Sequence, residues 1–125
     1  MARTKMKSIK WLTDVEDRDY PAAHSYLSLI YGNKRVAKLI ARLRKAPIRQ
    51  FKAKDVFRAS RLSLLGVSDS HVENYRDKIM KGEKLSPLLL VRDTDNGEVI
   101  IADGYHRMCA VYGFDEDAIL SCKII

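Results

Sequence analysis

Pro87-Leu88-Leu89-Leu90-Val91, Val99-Ile100-Ile101 and Ala102-Asp103-Gly104-Tyr105-His106-Arg107-Met108-Cys109-Ala110 decide the fold of this chain. The first two runs are short, apolar and rich in branched side chains, and read as strands over about 87–92 and 98–102. Between them Asp93-Thr94-Asp95-Asn96-Gly97 signals a hairpin, because Asn-Gly fits the positive φ angles of tight turns. The second strand therefore returns antiparallel to the first. The third run starts a helix at a glycine and places His106 and Arg107 in its first turn. A helix N-terminus presents unpaired N–H groups and the positive end of the macrodipole, so it attracts phosphate. Two basic side chains stand there to close on the same anion, and Gly104 lets the backbone turn sharply beside a ligand. A plainer reading stands beside this one: Asp-Gly between strand and helix is often a turn with a cap, and a His-Arg pair is often solvated. Asp103 has three readings: helix N-cap, partner of His106 or Arg107, or ligand of a metal carried by a nucleotide. Capping is the simplest of the three.

Upstream, Asp19-Tyr20-Pro21 opens a helix, with Asp19 near its N-cap and Pro21 in its first turn. Ala22, Tyr26, Leu27, Leu29 and Ile30 follow as a helical face, and Gly32-Asn33 ends it. A second helix starts near Lys34, with Val36, Leu39, Ile40 and Leu43 inward and Lys38, Arg42 and Lys45 outward, until Ala46-Pro47 stops it. The two form a helical hairpin whose tyrosines, Tyr20, Tyr26 and Tyr31, either offer a stacking surface to bases or fill the seam between helices. Gln50 to Ala53 is a short strand, and the segment from Asp55 to Leu65 is either a short helix or a turn. Ser68-Asp69-Ser70 caps a helix with Val72, Tyr75 and Ile79 inward, ended by Gly82. The helix that starts at Gly104 closes at Gly113, and a last strand covers about 119–124. Helices first, then mixed strands and helices, define an α+β class. The expected organisation is a tail and helical hairpin over 1–47 and a mixed-sheet domain over 48–125, joined in one compact unit.

A chain of 125 residues with 46% hydrophobic content holds a single core of useful size. No run approaches the ~18 apolar residues of a membrane-spanning helix. The basic N-terminus has no apolar run behind it, so no secretory signal and a cytoplasmic location are expected. In that compartment Cys109 and Cys122 are expected to be reduced core thiols. His106 and Cys109 are three residues apart on a helix, but nothing completes a tetrahedral metal set at a fitting spacing, so no metal is expected there. The formal charge of +7 favours anionic partners, nucleotide or nucleic acid.

From Phe51 to Ile125 the sequence resembles the ParB/sulfiredoxin-type family. Three blocks carry the resemblance: Asp55-Val56-Phe57-Arg58-Ala59-Ser60, the helix from Asp69 to Ile79, and Pro87 through Ala110. In that family a strand beginning with proline, a hairpin, and a glycine followed by His-Arg or Arg-Arg form the nucleotide-phosphate loop. The resemblance implies that Gly104, Tyr105, His106 and Arg107 lie at the phosphates and that Arg58 contacts the nucleotide. It also implies that His71, Asn74 and Lys78, at i, i+3 and i+7 on one helix face, line the ligand. An ATP- or CTP-type nucleotide with Mg²⁺ is the cofactor so implied. Two departures narrow the function. Sulfiredoxins carry a nucleophilic cysteine before the His-Arg pair, and a phenol at Tyr105, with an ordinary pKa of about 10, does not replace a thiolate. The helix–turn–helix domain of partition proteins should follow this fold, and the sequence ends at Ile125.

Three functions follow in order of preference. The first is a nucleotide-binding protein, with hydrolysis or phosphotransfer left open; Asp103 and His106 are its candidate catalytic groups. The second is a nucleic-acid-binding protein or ParB-like nuclease, served by the basic second helix. The third is a non-catalytic interaction module that uses the helical hairpin to bind a partner protein or a second copy of itself. No membrane partner is expected.

Overall fold

The computed structural model describes residues 8–66 and 68–125. Its elements run β1 (Lys10–Trp11), α1 (Asp19–Leu27), α2 (Asn33–Lys45), β2 (Arg49–Lys52), α3 (Ala53–Ser60), α4 (Ser70–Met80), β3 (Lys84–Leu85), β4 (Leu88–Asp93), β5 (Glu98–Asp103), α5 (Tyr105–Phe114) and β6 (Ile119–Ile124). The α+β class and the main elements stand where the sequence placed them. The segment after Asp55, ambiguous by sequence, is α3, and β1 and β3 add a two-residue parallel pair.

Four strands make a mixed sheet in the order β2-β6-β4-β5. β4 pairs antiparallel with β5 and parallel with β6, and β6 pairs antiparallel with β2. The run Leu88-Leu89-Leu90-Val91 has no polar member because this central strand is covered on both faces. Leu88 and Leu90 join Val72, Ile79, Met108 and Val111 beneath α3, α4 and α5. Leu89 and Val91 join Ala23, Leu27, Val36, Leu39 and Leu43 beneath α1 and α2. The helical hairpin is therefore one outer layer of a three-layer stack. Lys123 on β6 points into that layer, donating to the Tyr20 hydroxyl at 3.0 Å and to the Arg44 carbonyl at 2.9 Å, and it pairs with Asp14 at 3.2 Å.

Several local expectations are corrected. The buried face of α1 is Tyr20, Ala23 and Leu27, a spacing of i, i+3, i+7, while Ala22 and Tyr26 are exposed. α1 ends at Leu27, so Leu29 and Ile30 fall in the connection to α2 and are exposed, Leu29 by 83%. The tyrosines share no surface: Tyr20 is core, Tyr31 is half-buried under the Arg35 guanidinium, and Tyr26 is exposed. α5 continues through Gly113 to Phe114. In the 94–97 turn Gly97 alone takes positive φ, at 65°, so Asn96 serves instead by donating its side-chain amide to the Asp93 carboxylate. Both cysteines are buried and free, as expected of core thiols, and burial pushes Cys122 up to about 12.

Candidate functional site

The site is built where the two helical layers meet beyond the end of β5. Gly104 leaves the strand at φ 107°, a conformation costly for any side chain, and is itself the N-cap of α5. A Cβ there would lie 2.6 Å from Leu88 Cγ and 2.9 Å from Arg107 Nη2. Glycine is required by this close packing against β4 and the guanidinium. The capping reading of Asp103 is thereby corrected: its side chain caps nothing and instead accepts from Arg107 Nη2 at 3.1 Å, four residues along the chain.

Arg107 is 6% exposed and holds two carboxylates. The second is Asp19, 3.6 Å from the same Nη2. It stands next to the N-cap of α1 as expected, since Arg18 takes that position, but it is buried in the first turn and no side chain caps this helix. Ser86 completes the chain, donating to Asp19 Oδ2 at 2.5 Å and accepting from the Glu16 N–H at 3.1 Å. The cluster thus ties α1, β5 and α5 together. Burial alone would lower the Arg107 pKa, but the Asp103 and Asp19 charges hold it above its ordinary value. Burial, and then the neighbouring Asp19, lift Asp103 above the ordinary 3.8 against the pull of Arg107. Arg107 Nε is buried without an acceptor, which costs about 1–3 kcal/mol at a typical site.

The elevated Asp103 sets a pH dependence. A carboxyl whose folded pKa is raised binds its proton more tightly folded than unfolded, so its contribution to stability is full below 3.8 and is lost as pH rises through the folded value. Asp103→Asn removes that proton exchange while leaving an acceptor for Arg107. Urea titrations across this window should show a flatter stability profile in Asp103→Asn than in the wild type. An unchanged slope would mean that another group carries it.

Over this cluster lies a pocket of about 250 Å³ whose rim adds Arg18, Lys78 and Lys84 to the floor of Asp19, Asp103 and Arg107. Beside it, a depression of about 330 Å³ runs along α4 past His71, Asn74 and Lys81. Tyr75 and Lys78 line both. The Lys78 ammonium lies 5.2 Å from the centre of the Tyr75 ring, and the Arg107 guanidinium 5.8 Å from it. At the outer end, the His71 and His106 rings meet with centroids 4.8 Å apart. Asp69, the N-cap of α4, accepts from the N–H groups of Val72 and His71; these bonds and the two imidazoles hold its carboxyl below the ordinary range.

The structure thus brings together His71, Asn74, Lys78, Asp103 and Arg107 along two adjoining depressions. Gly104 and His106 line neither: Gly104 packs against Leu88 and Arg107, and His106 against His71. Two further candidates are left aside. Arg58 is exposed on α3 and lines neither depression. Tyr105 donates its hydroxyl to the Ser63 carbonyl at 2.5 Å, which anchors the loop after α3. Asp19, Ser86, Arg18 and Lys84 were not singled out as site residues by sequence. The Asp-Tyr-Pro signature of Asp19 fits an ordinary helix start, and nothing local marks the other three. Among the described residues no group of three or more His, Cys, Asp or Glu is placed to hold a metal. Nor is any helix among them long and apolar enough to cross a membrane.

Comparison with known proteins returns no matching family model, no similar curated protein and no similar solved structure.

Proposed function

We propose that this chain is a ParB/sulfiredoxin-like protein that binds a nucleoside phosphate along α4, with the phosphates at the N-terminus of α5. The observation that carries the reading is the pair of adjoining depressions sharing Tyr75 and Lys78. One is polar, with Lys78, Lys84 and the Arg18–Glu16 pair over the Asp19, Asp103 and Arg107 cluster; the other offers the Tyr75 ring, Asn74 and His71 to a sugar or base. The phosphate is held by the rim lysines. Arg107 already shares its charge between two carboxylates, so its part is to set the floor and keep the α5 turn in place. The carboxylates at the floor suit a phosphate that arrives with Mg²⁺, and Asp103, less buried than Asp19, is the residue that would meet the ion. For any turnover Asp103 is also the better proton acceptor, because it lines the pocket while His106 faces His71.

The test is thermal unfolding against nucleoside mono-, di- and triphosphates, with and without Mg²⁺, on the wild type and on Lys78→Ala/Lys84→Ala. A nucleotide at ~100-fold its Kd stabilises the wild type by ~2.7 kcal/mol, a rise of several degrees in Tm. The double variant should lose most of that rise while keeping the Tm of the unliganded protein, since neither lysine is buried. A flat panel on the wild type would overturn the proposal.

A further inference from the structure

Residues 20–54 hold nine of the 23 Lys and Arg and none of the 16 Asp and Glu. That segment carries +9 and the rest of the chain −2, so the whole positive balance comes from α2, β2 and Lys54 at the start of α3. On α2 the charge is ordered. Val36, Leu39 and Leu43 are buried on one side, while Lys34, Lys38, Arg42 and Lys45 are all exposed on the other. At 3.6 residues per turn those four fall in one stripe roughly 80° wide and about 16 Å long. No other residue of α2 falls inside that stripe, which Ala41 and Arg35 border on either side, and none of the four has a salt-bridge partner among the described residues.

A bland explanation covers only part of this. Arg42, Arg44 and Lys45 lie in the last turn, where cations complement the helix dipole. Lys34 and Arg35 lie in the first turn, where cations oppose it, and no acidic residue offsets them there. The self-repulsion of an unpaired cationic stripe is relieved by an external polyanion. We infer that the outer face of α2 binds the phosphate backbone of a nucleic-acid duplex, without base recognition. The face carries no aromatic, amide or large apolar side chain that would read base edges or enter a lipid surface. This surface is separate from the α4–α5 pocket, whose lining residues all lie outside α2.

The measurement is fluorescence anisotropy of a labelled random-sequence DNA duplex of about 24 base pairs, titrated with full-length protein at salt between about 50 and 200 mM. Four phosphate contacts predict a slope of log K against log salt of about −3.6, equivalent to an affinity loss of about 150-fold over that range. Lys38→Ala/Arg42→Ala should halve the slope to about −1.8, a loss of about 12-fold. Both replacements put the best helix former on an exposed face, so the fold is retained. Lys10→Ala/Arg92→Ala removes the same charge from other elements and should leave the slope near the wild-type value. Absence of duplex binding at the lowest salt overturns the inference, as does an equal slope change in both double variants. So does binding to phosphatidylcholine–phosphatidylglycerol vesicles in place of DNA, lost on Leu29→Ser/Ile30→Ser, which would assign the face to a membrane surface. None of these outcomes depends on the nucleotide panel.

Discussion

Arg107→Met should destabilise the protein by about 3–5 kcal/mol, lowering Tm by more than about 10 °C. The guanidinium is the shared partner of two carboxylates, Asp103 at 3.1 Å and Asp19 at 3.6 Å, and both side chains are less than one-fifth exposed. Without it two like charges remain in a poorly solvated site, and at least one must take up a proton. The arginine also fixes the geometry where α1 meets α5 at the end of β5, so the loss should reach the packing of both helical layers. A cycle separates charge from packing. Asp19→Asn/Asp103→Asn/Arg107→Met should recover much of the lost stability, because removing a whole buried ionic cluster is far cheaper than orphaning part of it. Chemical denaturation of the single and triple variants checks this. A change below about 1 kcal/mol in Arg107→Met would show that water reaches these carboxylates freely. The same reasoning makes Arg107 a poor probe of ligand binding, since its removal alters the fold and the site together.

Gly104→Ala should cost a similar amount, about 3–5 kcal/mol, through two independent effects. Holding a side chain at φ 107° costs about 1–3 kcal/mol. The new methyl also meets Leu88 Cγ at 2.6 Å and Arg107 Nη2 at 2.9 Å, and forcing atoms into a packed core typically costs about 1–3 kcal/mol more. Leu88 is fully buried on the central strand, so it has no room to withdraw. Arg107 would have to yield instead, weakening its hold on Asp103. Urea denaturation of Gly104→Ala, followed by Leu88→Ala in the same background, tests the packing part. If shortening Leu88 relieves none of the defect, the backbone conformation alone accounts for it. Gly97→Ala is an internal comparison, with positive φ but only ordinary contact to an arginine 3.7 Å away, and it should cost much less.

These predictions turn on what the sequence could and could not carry. The strands, the hairpin and the helices of this chain were legible because each is written in local periodicity and punctuation. Asp69 caps α4 and Pro47 follows the end of α2 as expected. The α4 face of His71, Asn74 and Lys78 was legible too, since helical spacing alone puts them together, and one depression receives all three. What local signals left undecided turned on packing. Asp103 carried three readings, and the one that holds pairs it with Arg107 four residues on, because Gly104 takes the cap position. Asp19 lies 88 positions before the arginine it pairs with, and Ser86 lies 67 positions after Asp19.

The sequence by itself determined the order and type of the main elements, the basic character concentrated on α2, and the glycine that a sharp turn after β5 requires. Local backbone preference and hydrophobic period act over a few residues, and both are read directly from the chain. Tertiary structure alone decided that Leu88 to Val91 is buried on both faces and that the helical hairpin forms the second covering layer. It also decided that Arg107 spends its charge on Asp19 and Asp103, leaving Lys78 and Lys84 to face solvent at the pocket. Charge pairing and desolvation depend on distance in space, and only the packed layers fix those distances.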